Sequence, residues 1–351
     1  MEELSSRSPS GGVRGPARRT IVQIHPSLKC NLSCAHCYSD SAPTARVELE
    51  PEIVCQFISD AASMGYEVVS ISGGEPLIYD GLEIILAHAK SLGLQTTVTT
   101  NGFFNDRRRL ERLRDKLDAL AISLDGPPEV HNRIRRSARA FERLVSGLGD
   151  LRAIGIQFGF IHTLTRENWE HLPWVAEFAA ENGARLLQIH PLELAGRATE
   201  MMRGESLTEE LLARAYVIAF LLADKYAETM AVQIDLLYRE HLREEPELVY
   251  AGTPPEEATD LSPAQLLSLI VLESDGAVVP VSYGFSRRYQ ICNVRDERLI
   301  DAWGEFLTRR YVAFSELCRR VWEELCLPEA PLLSNWHEMI VARSHERAYA
   351  S

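Results

Sequence analysis

Between Thr20 and His190 the chain repeats one alternation: a short apolar run rich in β-branched residues, then a longer stretch of helical periodicity. Strands are expected over 20–25, 67–71, 95–99, 119–123, 156–163 and 185–190. Helices are expected over 50–64, 82–92, 106–116, 138–154 and 169–182, with a further one over 208–226. Short β runs separated by helices specify a parallel sheet joined by right-handed crossovers. Six such units are too few for a closed eight-stranded barrel. The expected fold class is therefore α/β, a partial (β/α)6 TIM-like barrel, followed by a small C-terminal β-hairpin with helices.

In such folds the reactive groups collect at the C-terminal ends of the strands. Each unusual short motif of this chain falls there. Cys30, Cys34 and Cys37 follow the first strand, in Cys30-Asn-Leu-Ser-Cys34-Ala-His36-Cys37-Tyr38. Ser72-Gly73-Gly74-Glu75-Pro76 follows the second, Thr99-Thr100-Asn101-Gly102 the third and Ser123-Leu124-Asp125-Gly126 the fourth. His162, Thr163 and Asn168 follow the fifth, and Gln188 to Pro191 close the sixth. Singly, these read as turns: Gly-Gly, Asn-Gly and Asp-Gly are common turn signals, and a lone strand-end histidine such as His190 is more often structural. Gly73 and Gly74 would also let backbone approach a ligand, Glu75 would accept from an ammonium, and Ser123 with Asp125 suits a ribose or carboxylate.

Three thiolates spaced Cys-x3-Cys-x2-Cys suit three irons of a [4Fe–4S] cube, with the fourth iron left open. A structural zinc site would need a fourth ligand, and no second Cys-x2-Cys or His pair follows at finger spacing. The cysteine spacing, with Gly73-Gly74-Glu75-Pro76 behind it, resembles the signature of the radical S-adenosylmethionine (SAM) enzymes. That resemblance implies a [4Fe–4S] cluster on Cys30, Cys34 and Cys37, and SAM held by Gly73, Gly74 and Glu75 at its methionine amino group. It places His36 and Tyr38 against the adenine, Asn101 near the ribose, and Ser123, Asp125 and Arg135 on the cofactor, Arg135 at its carboxylate with Arg133 as competitor. His190 would approach the adenine from the last strand. The implied chemistry is reductive cleavage of SAM and abstraction of hydrogen from a substrate.

Composition narrows the partners. The 351 residues are 46% hydrophobic and 25% charged, with a net charge of −13, which argues against a general nucleic-acid binder. No apolar stretch is long enough to span a membrane. Seven cysteines, three of them in one motif, fit a reducing cytoplasm better than a disulfide framework. Residues 1–19, rich in Ser, Gly, Pro and Arg, read as a disordered lead-in. The barrel is expected over 20–240 and a charged, Pro-rich linker over 241–262.

In 263–351, two apolar runs around Asp275-Gly276 read as a hairpin. Cys292-Asn293-Val294 and a Trp303-bearing helix follow, an order that resembles the SPASM or twitch extension of radical SAM maturases. Relatives carry a ligand cysteine after the hairpin proline, whereas this chain has Pro280-Val281, so the auxiliary cluster is expected to be lost. A second cluster on Cys292, Cys318 and Cys326 is the alternative, and Cys292 is also a candidate hydrogen donor. The resemblance implies as substrate a ribosomally made peptide, to be crosslinked or epimerised, with small-molecule dehydrogenation, decarboxylation or isomerisation as the other reading. It further implies a flavodoxin or ferredoxin reductant and allows for a separate leader-peptide-binding protein. A zinc- or cluster-bearing binding module and a SAM-binding pseudo-enzyme remain the competing classes.

Overall fold

The computed structural model of the chain describes residues 19–103 and 107–346. Apart from Arg19, the expected N-terminal lead-in lies outside the described residues. Twelve strands are described: β1 Ile21–Ile24, β2 Val68–Ile71, β3 Gln95–Thr100, β4 Ala119–Ser123, β5 Gln157–Leu164, β6 Leu186–Pro191, β7 Ala231–Ile234, β8 Leu237–Tyr238, β9 Leu269–Leu272, β10 Ala277–Pro280, β11 Cys292–Asn293 and β12 Leu333–Ser334. Ten of them form one sheet in the order β11-β10-β9-β1-β2-β3-β4-β5-β6-β7, while β8 and β12 make a separate antiparallel pair. From β1 to β7 every neighbour is parallel, as crossover helices require. The fold is the expected partial barrel with one parallel strand more than expected. The short β7 was hidden between Tyr226 and the charged stretch that follows.

Burial alternates along the strands and defines two faces. Val22, Ile24, Val69, Ile71, Val98, Leu120, Ile122, Phe158, Phe160, Leu187 and Ile189 are buried against the outer helices Pro51–Ser63, Leu82–Ser91, Ala140–Ile154 and Leu172–Glu181. The alternate residues Gln23, Ser70, Thr97, Thr99, Thr163, Gln188 and His190 are half-buried and line the barrel interior. An inner face with this many polar side chains is an unusual choice for a sealed core and a natural one for a lined cavity.

The C-terminal region extends this sheet instead of hanging from it. β9 pairs in parallel with β1, Ile21 opposite Leu269 and Ile24 opposite Leu272. β10 returns antiparallel to β9 through the turn at Gly276, whose φ of +93° suits glycine. Residues 241–262, expected as a linker, carry the helix Arg239–Glu244 and the tight turns Pro246–Val249 and Pro255–Asp260. Leu242, Val249 and Ala258 in this stretch are buried against the core. Charge and proline density mark its outer surface, while Leu248, Tyr250, Ala251 and Leu261 add to the apolar contacts that seat it. No described helix is long and apolar enough to cross a membrane.

Candidate active site

The loop between Cys30 and Ser41 is held from three sides. From β2, Gly74 N–H donates to the Ser27 carbonyl (2.8 Å) and Glu75 N–H to the Lys29 carbonyl (3.0 Å). A Cβ on Gly74 would stand 2.1 Å from the Lys29 carbonyl oxygen, and one on Gly73, whose φ is +107°, would stand 2.7 Å from that of Ser27. The two glycines therefore admit the backbone of Ser27 and Lys29, which leads into the cysteine loop. From the helix Pro128–Ile134, the Ile134 carbonyl accepts from Ala35 N–H (2.8 Å).

The third side was not foreseen. Arg197, past β6, donates to the carbonyls of Cys34 (2.9 Å) and Ser41 (2.7 Å) and pairs with Asp40 (3.1 Å). Its own N–H donates to the Cys37 carbonyl (3.0 Å), and Gly196 has no Cβ to strike the Tyr38 carbonyl. No spacing rule links positions 160 residues apart, so only the folded chain reveals this clamp. Arg197→Ala is expected to destabilise the protein by about 2–3 kcal/mol, since two charged hydrogen bonds are lost. It should also speed iron loss to a chelator, with Arg197→Lys intermediate; urea unfolding and timed iron release check both.

The three thiols meet the chemistry of an iron–sulfur cluster. Cys30 and Cys34 are buried, Cys37 is half-buried, and none is in a disulfide. Each sulfur faces donors: Leu32 N–H (3.5 Å) and the Asn101 amide (3.8 Å) at Cys30, the Arg135 guanidinium (3.8 Å) at Cys34, and Ser41 N–H (3.3 Å) at Cys37. Donors of this kind stabilise the charge on cluster thiolates. Burial pushes the Cys30 thiol up to about 12, so loading a metal must displace its proton. Among the described residues no group of three or more His, Cys, Asp or Glu is gathered so as to hold a single metal ion.

Beside the cysteines lies one buried carboxylate ringed by bases. Asp125 accepts from Arg135 Nε (2.6 Å) and Nη2 (3.4 Å) and faces His36 Nε2 at 3.3 Å. Its own N–H donates to His131 Nδ1 (3.2 Å), and its carbonyl accepts from Asn168 (3.0 Å). Burial would push this carboxyl up, but the charge of Arg135 and the contact with His36 outweigh it and hold the group well below the usual range. Arg135 thus bridges Asp125 and Cys34, whereas Arg133 is exposed and paired with Glu167. Of the two arginines, only Arg135 stands at the cysteines.

The remaining candidates divide. Glu75 is buried and accepts from Leu77 N–H (3.0 Å), the Thr100 hydroxyl (2.8 Å) and Asn101 N–H (2.8 Å), tying β2 to β3. Asn101 reaches Asn31 at 2.8 Å. The Ser123 hydroxyl makes no hydrogen bond among the described residues and is half exposed at the end of β4. His36 turns the Nε2 edge of its ring to Asp125 (3.3 Å), a contact that leaves the ring faces unused. Tyr38 packs edge-on against His25 and Tyr283, and these two stack at 4.6 Å. His190 pairs through Nδ1 with Asp235, just beyond β7.

Cys292 is placed otherwise than expected. It is 1% exposed in the apolar core, with Asp60 of an outer helix, Glu297 and Arg310 as its charged neighbours, and burial first among the causes pushes its thiol up to about 12. Burial at the edge strand β11, beside Asp60 of the outer helix Pro51–Ser63, leaves the hydrogen-donor expectation without support. Cys318 is fully buried, Cys326 is half-buried, and these two and Cys292 do not form a metal-holding group among the described residues. Val281, where the resemblance places a ligand cysteine, is buried with φ +67°, a region that β-branched residues rarely occupy.

Fold and site define the class: an open α/β barrel with a three-thiol loop at its C-terminal rim. Residues 24–179, somewhat under half of the chain, match the family model of the radical SAM superfamily. That superfamily uses a [4Fe–4S] cluster and SAM, which Cys30, Cys34 and Cys37 and the groups around them fit. The chain is 29% identical over 198 residues to the Fe-coproporphyrin III synthase of Methanosarcina barkeri, covering 55% of this chain and 49% of that one. It spans about half the length of the curated relatives it matches. Its fold is similar to Streptococcus suis SuiB bound to SAM, with TM-score 0.65 and 16% identity over 85% of this chain and 68% of SuiB. It is likewise similar to native anSMEcpe with bound AdoMet and Kp18Cys peptide, with TM-score 0.62 and 17% identity over 94% of this chain and 97% of that one.

Proposed function

We propose that the chain is a radical SAM enzyme acting on a ribosomally synthesised peptide, by crosslinking or epimerisation. When bound, the cluster and SAM supply a 5′-deoxyadenosyl radical that takes hydrogen from the substrate. Cys30, Cys34 and Cys37 hold the cluster, and Arg135, positioned by Asp125, offers the donors for the cofactor's carboxylate. Ser123 offers a free hydroxyl at the same rim. Glu75 and Asn101 act at one remove, by fixing the loops between which the cofactor lies. A flavodoxin or ferredoxin is the reductant, and a separate leader-binding protein is a candidate partner.

The observation that carries the peptide reading is the barrel's inner face. Its interior-facing strand positions mix Gln, Ser, Thr and His with Ile21, Ala119, Ala121, Gly159, Ile161 and Leu186, and carry no Lys or Arg among the described residues. Such a face suits backbone amides. The near full-length likeness to anSMEcpe, whose structure includes a peptide, supports the same reading. The relative named as an Fe-coproporphyrin III synthase favours a small-molecule alternative. An anionic small molecule would favour lysine or arginine side chains, which this inner face lacks among the described residues.

Anaerobic reconstitution with iron and sulfide, then dithionite and SAM, tests the reading. About four irons per chain are expected. Deoxyadenosine should form and should vanish in the Cys30, Cys34, Cys37 triple-alanine variant. Zinc in place of iron, without deoxyadenosine, would replace the enzyme with a binding module.

A further inference from the structure

The segment after β6 runs from His190 to the cysteine loop, which its Gly196 and Arg197 touch. Glu193 lies midway along it. Its charged and polar neighbours come from separate parts of the fold: Tyr38 beside the third cysteine, His190 at the end of β6, Asp235 past β7, and Glu338 on the helix Trp336–His345. Glu193 is thus enclosed by protein, yet its side chain keeps some exposure, just past the end of β6.

Every other charge around it is committed. Asp235 takes the imidazole of His190 and the amide of Gln188 (3.3 Å). Glu338 accepts from Leu194 N–H (3.2 Å). Arg197, the nearest arginine along the segment, is spent on the cysteine loop. The Glu193 carboxylate has no hydrogen bond or ion pair among the described residues. Burial pushes its carboxyl above the usual range; His190 opposes this, and Glu338 and Asp235 add to it. An enclosed carboxylate facing two others is costly unless a cation joins them. His190, already taken by Asp235, leaves the three carboxylates in excess.

We propose that Glu193, backed by the Asp235–His190 pair, is a subsite for a cationic group of the substrate: the ammonium of a lysine or amino terminus, or the guanidinium of an arginine. This rests on the peptide reading above and adds to it that a basic residue of the peptide lies just past the end of β6, near Tyr38 and the cysteine loop. Asp235 and His190 are positioning residues here. They hold the β6 and β7 ends together and keep a second negative group behind Glu193.

The test uses reconstituted, SAM-loaded holoenzyme, so that the cofactor's own ammonium site is filled. The probes are n-butylammonium and n-butylguanidinium, with butyramide and butyrate as controls, followed by ligand-observed NMR. Both cations should bind and both controls should not. Glu193→Gln, nearly isosteric, should weaken the cations at least tenfold, and Asp235→Asn less. Glu228→Gln, at the outer edge of the sheet, should change nothing. Unchanged cation affinity in Glu193→Gln, or preference for butyrate, would overturn the subsite. Thermal unfolding of each variant separates misfolding from lost charge, and Asp235→Asn supplies a second reading should Glu193→Gln unfold. Deoxyadenosine measured on the same samples keeps the two conclusions apart. Deoxyadenosine with charge-indifferent probe binding refutes the subsite alone. Charge-dependent binding without deoxyadenosine refutes the enzymatic reading alone.

Discussion

Gly74→Ala is expected to abolish iron loading while leaving most of the helical barrel in place. The added Cβ would lie 2.1 Å from the Lys29 carbonyl oxygen and 2.6 Å from its carbon. Both are backbone atoms and cannot swing aside as a side-chain tip would. The clash is relieved only by parting the loops after β1 and β2, which breaks Gly74 N–H to Ser27 and Glu75 N–H to Lys29. Cys30 and Asn31 are then detached from Asn101, and Glu75 loses its register with β3. Overpacking a tight site costs about 1–3 kcal/mol, and the two lost hydrogen bonds add about 1 kcal/mol each. Gly149→Ala is the control: that glycine lies in the helix Ala140–Ile154, and its added Cβ would meet nothing within 4 Å. It should be neutral or stabilising by up to about 1 kcal/mol. Iron content and denaturant unfolding of both variants decide the matter. Normal iron in Gly74→Ala would mean that the two loops tolerate separation.

A second large effect is expected on acidification. Burial pulls the His25 imidazole down to about 3 and, with smaller opposing and reinforcing charges, that of His131 to about 4, against an ordinary value of 6.5. His162 is lowered as well, again chiefly by burial. Between the ordinary value and these native values the unfolded chain binds protons that the folded chain refuses. Their contribution is therefore complete above pH about 6.5 and is lost as pH falls. Each imidazole costs about 1.4 kcal/mol per pH unit, so His25 and His131 together remove about 5 kcal/mol between pH 6.5 and 4.5. Asp125, held low, works in the same direction but only at more acid pH, as it nears protonation. His25→Phe separates the contributions. Both ring nitrogens of His25 are buried without a protein partner, while its ring stacks on Tyr283. Phenylalanine keeps the stack and removes the unsatisfied groups, so it should be neutral or stabilising at pH 8 and should flatten the acid slope by about one proton. A loss above about 2 kcal/mol at pH 8 would show that those nitrogens have partners in solution.

Parts of this architecture could be read before folding because they are written in local periodicity. The six expected strands each fall within about a residue of those observed, since a two-residue burial period and flanking helices constrain them strongly. β7 was missed because four residues carry too little periodicity. The run 128–134 was missed as a helix because Pro127-Pro128 reads as a turn, although Pro128 sits at the helix start, where proline is tolerated. The hairpin at Gly276 was legible from its Asp-Gly turn. Its parallel pairing with β1 was not, because nothing local in 269–272 names a partner some 250 residues away.

The site divides along the same line. Sequence alone determined the ligand chemistry: three thiols at a cluster spacing, and glycines where no side chain fits. These depend on covalent spacing and on backbone conformation, which a short segment carries with it. Tertiary structure decided which groups face which. It turned Arg135 to Asp125 and Cys34 and sent Arg133 to the surface. It brought Arg197 across the fold to clasp the cysteine loop, buried Cys292 at the sheet's edge, and left Glu193 to share the charge of His190 with Asp235. Burial and long-range charge arise only when distant segments meet. They set pKa values, partners and the empty place for a cation, and a one-dimensional pattern holds no record of them.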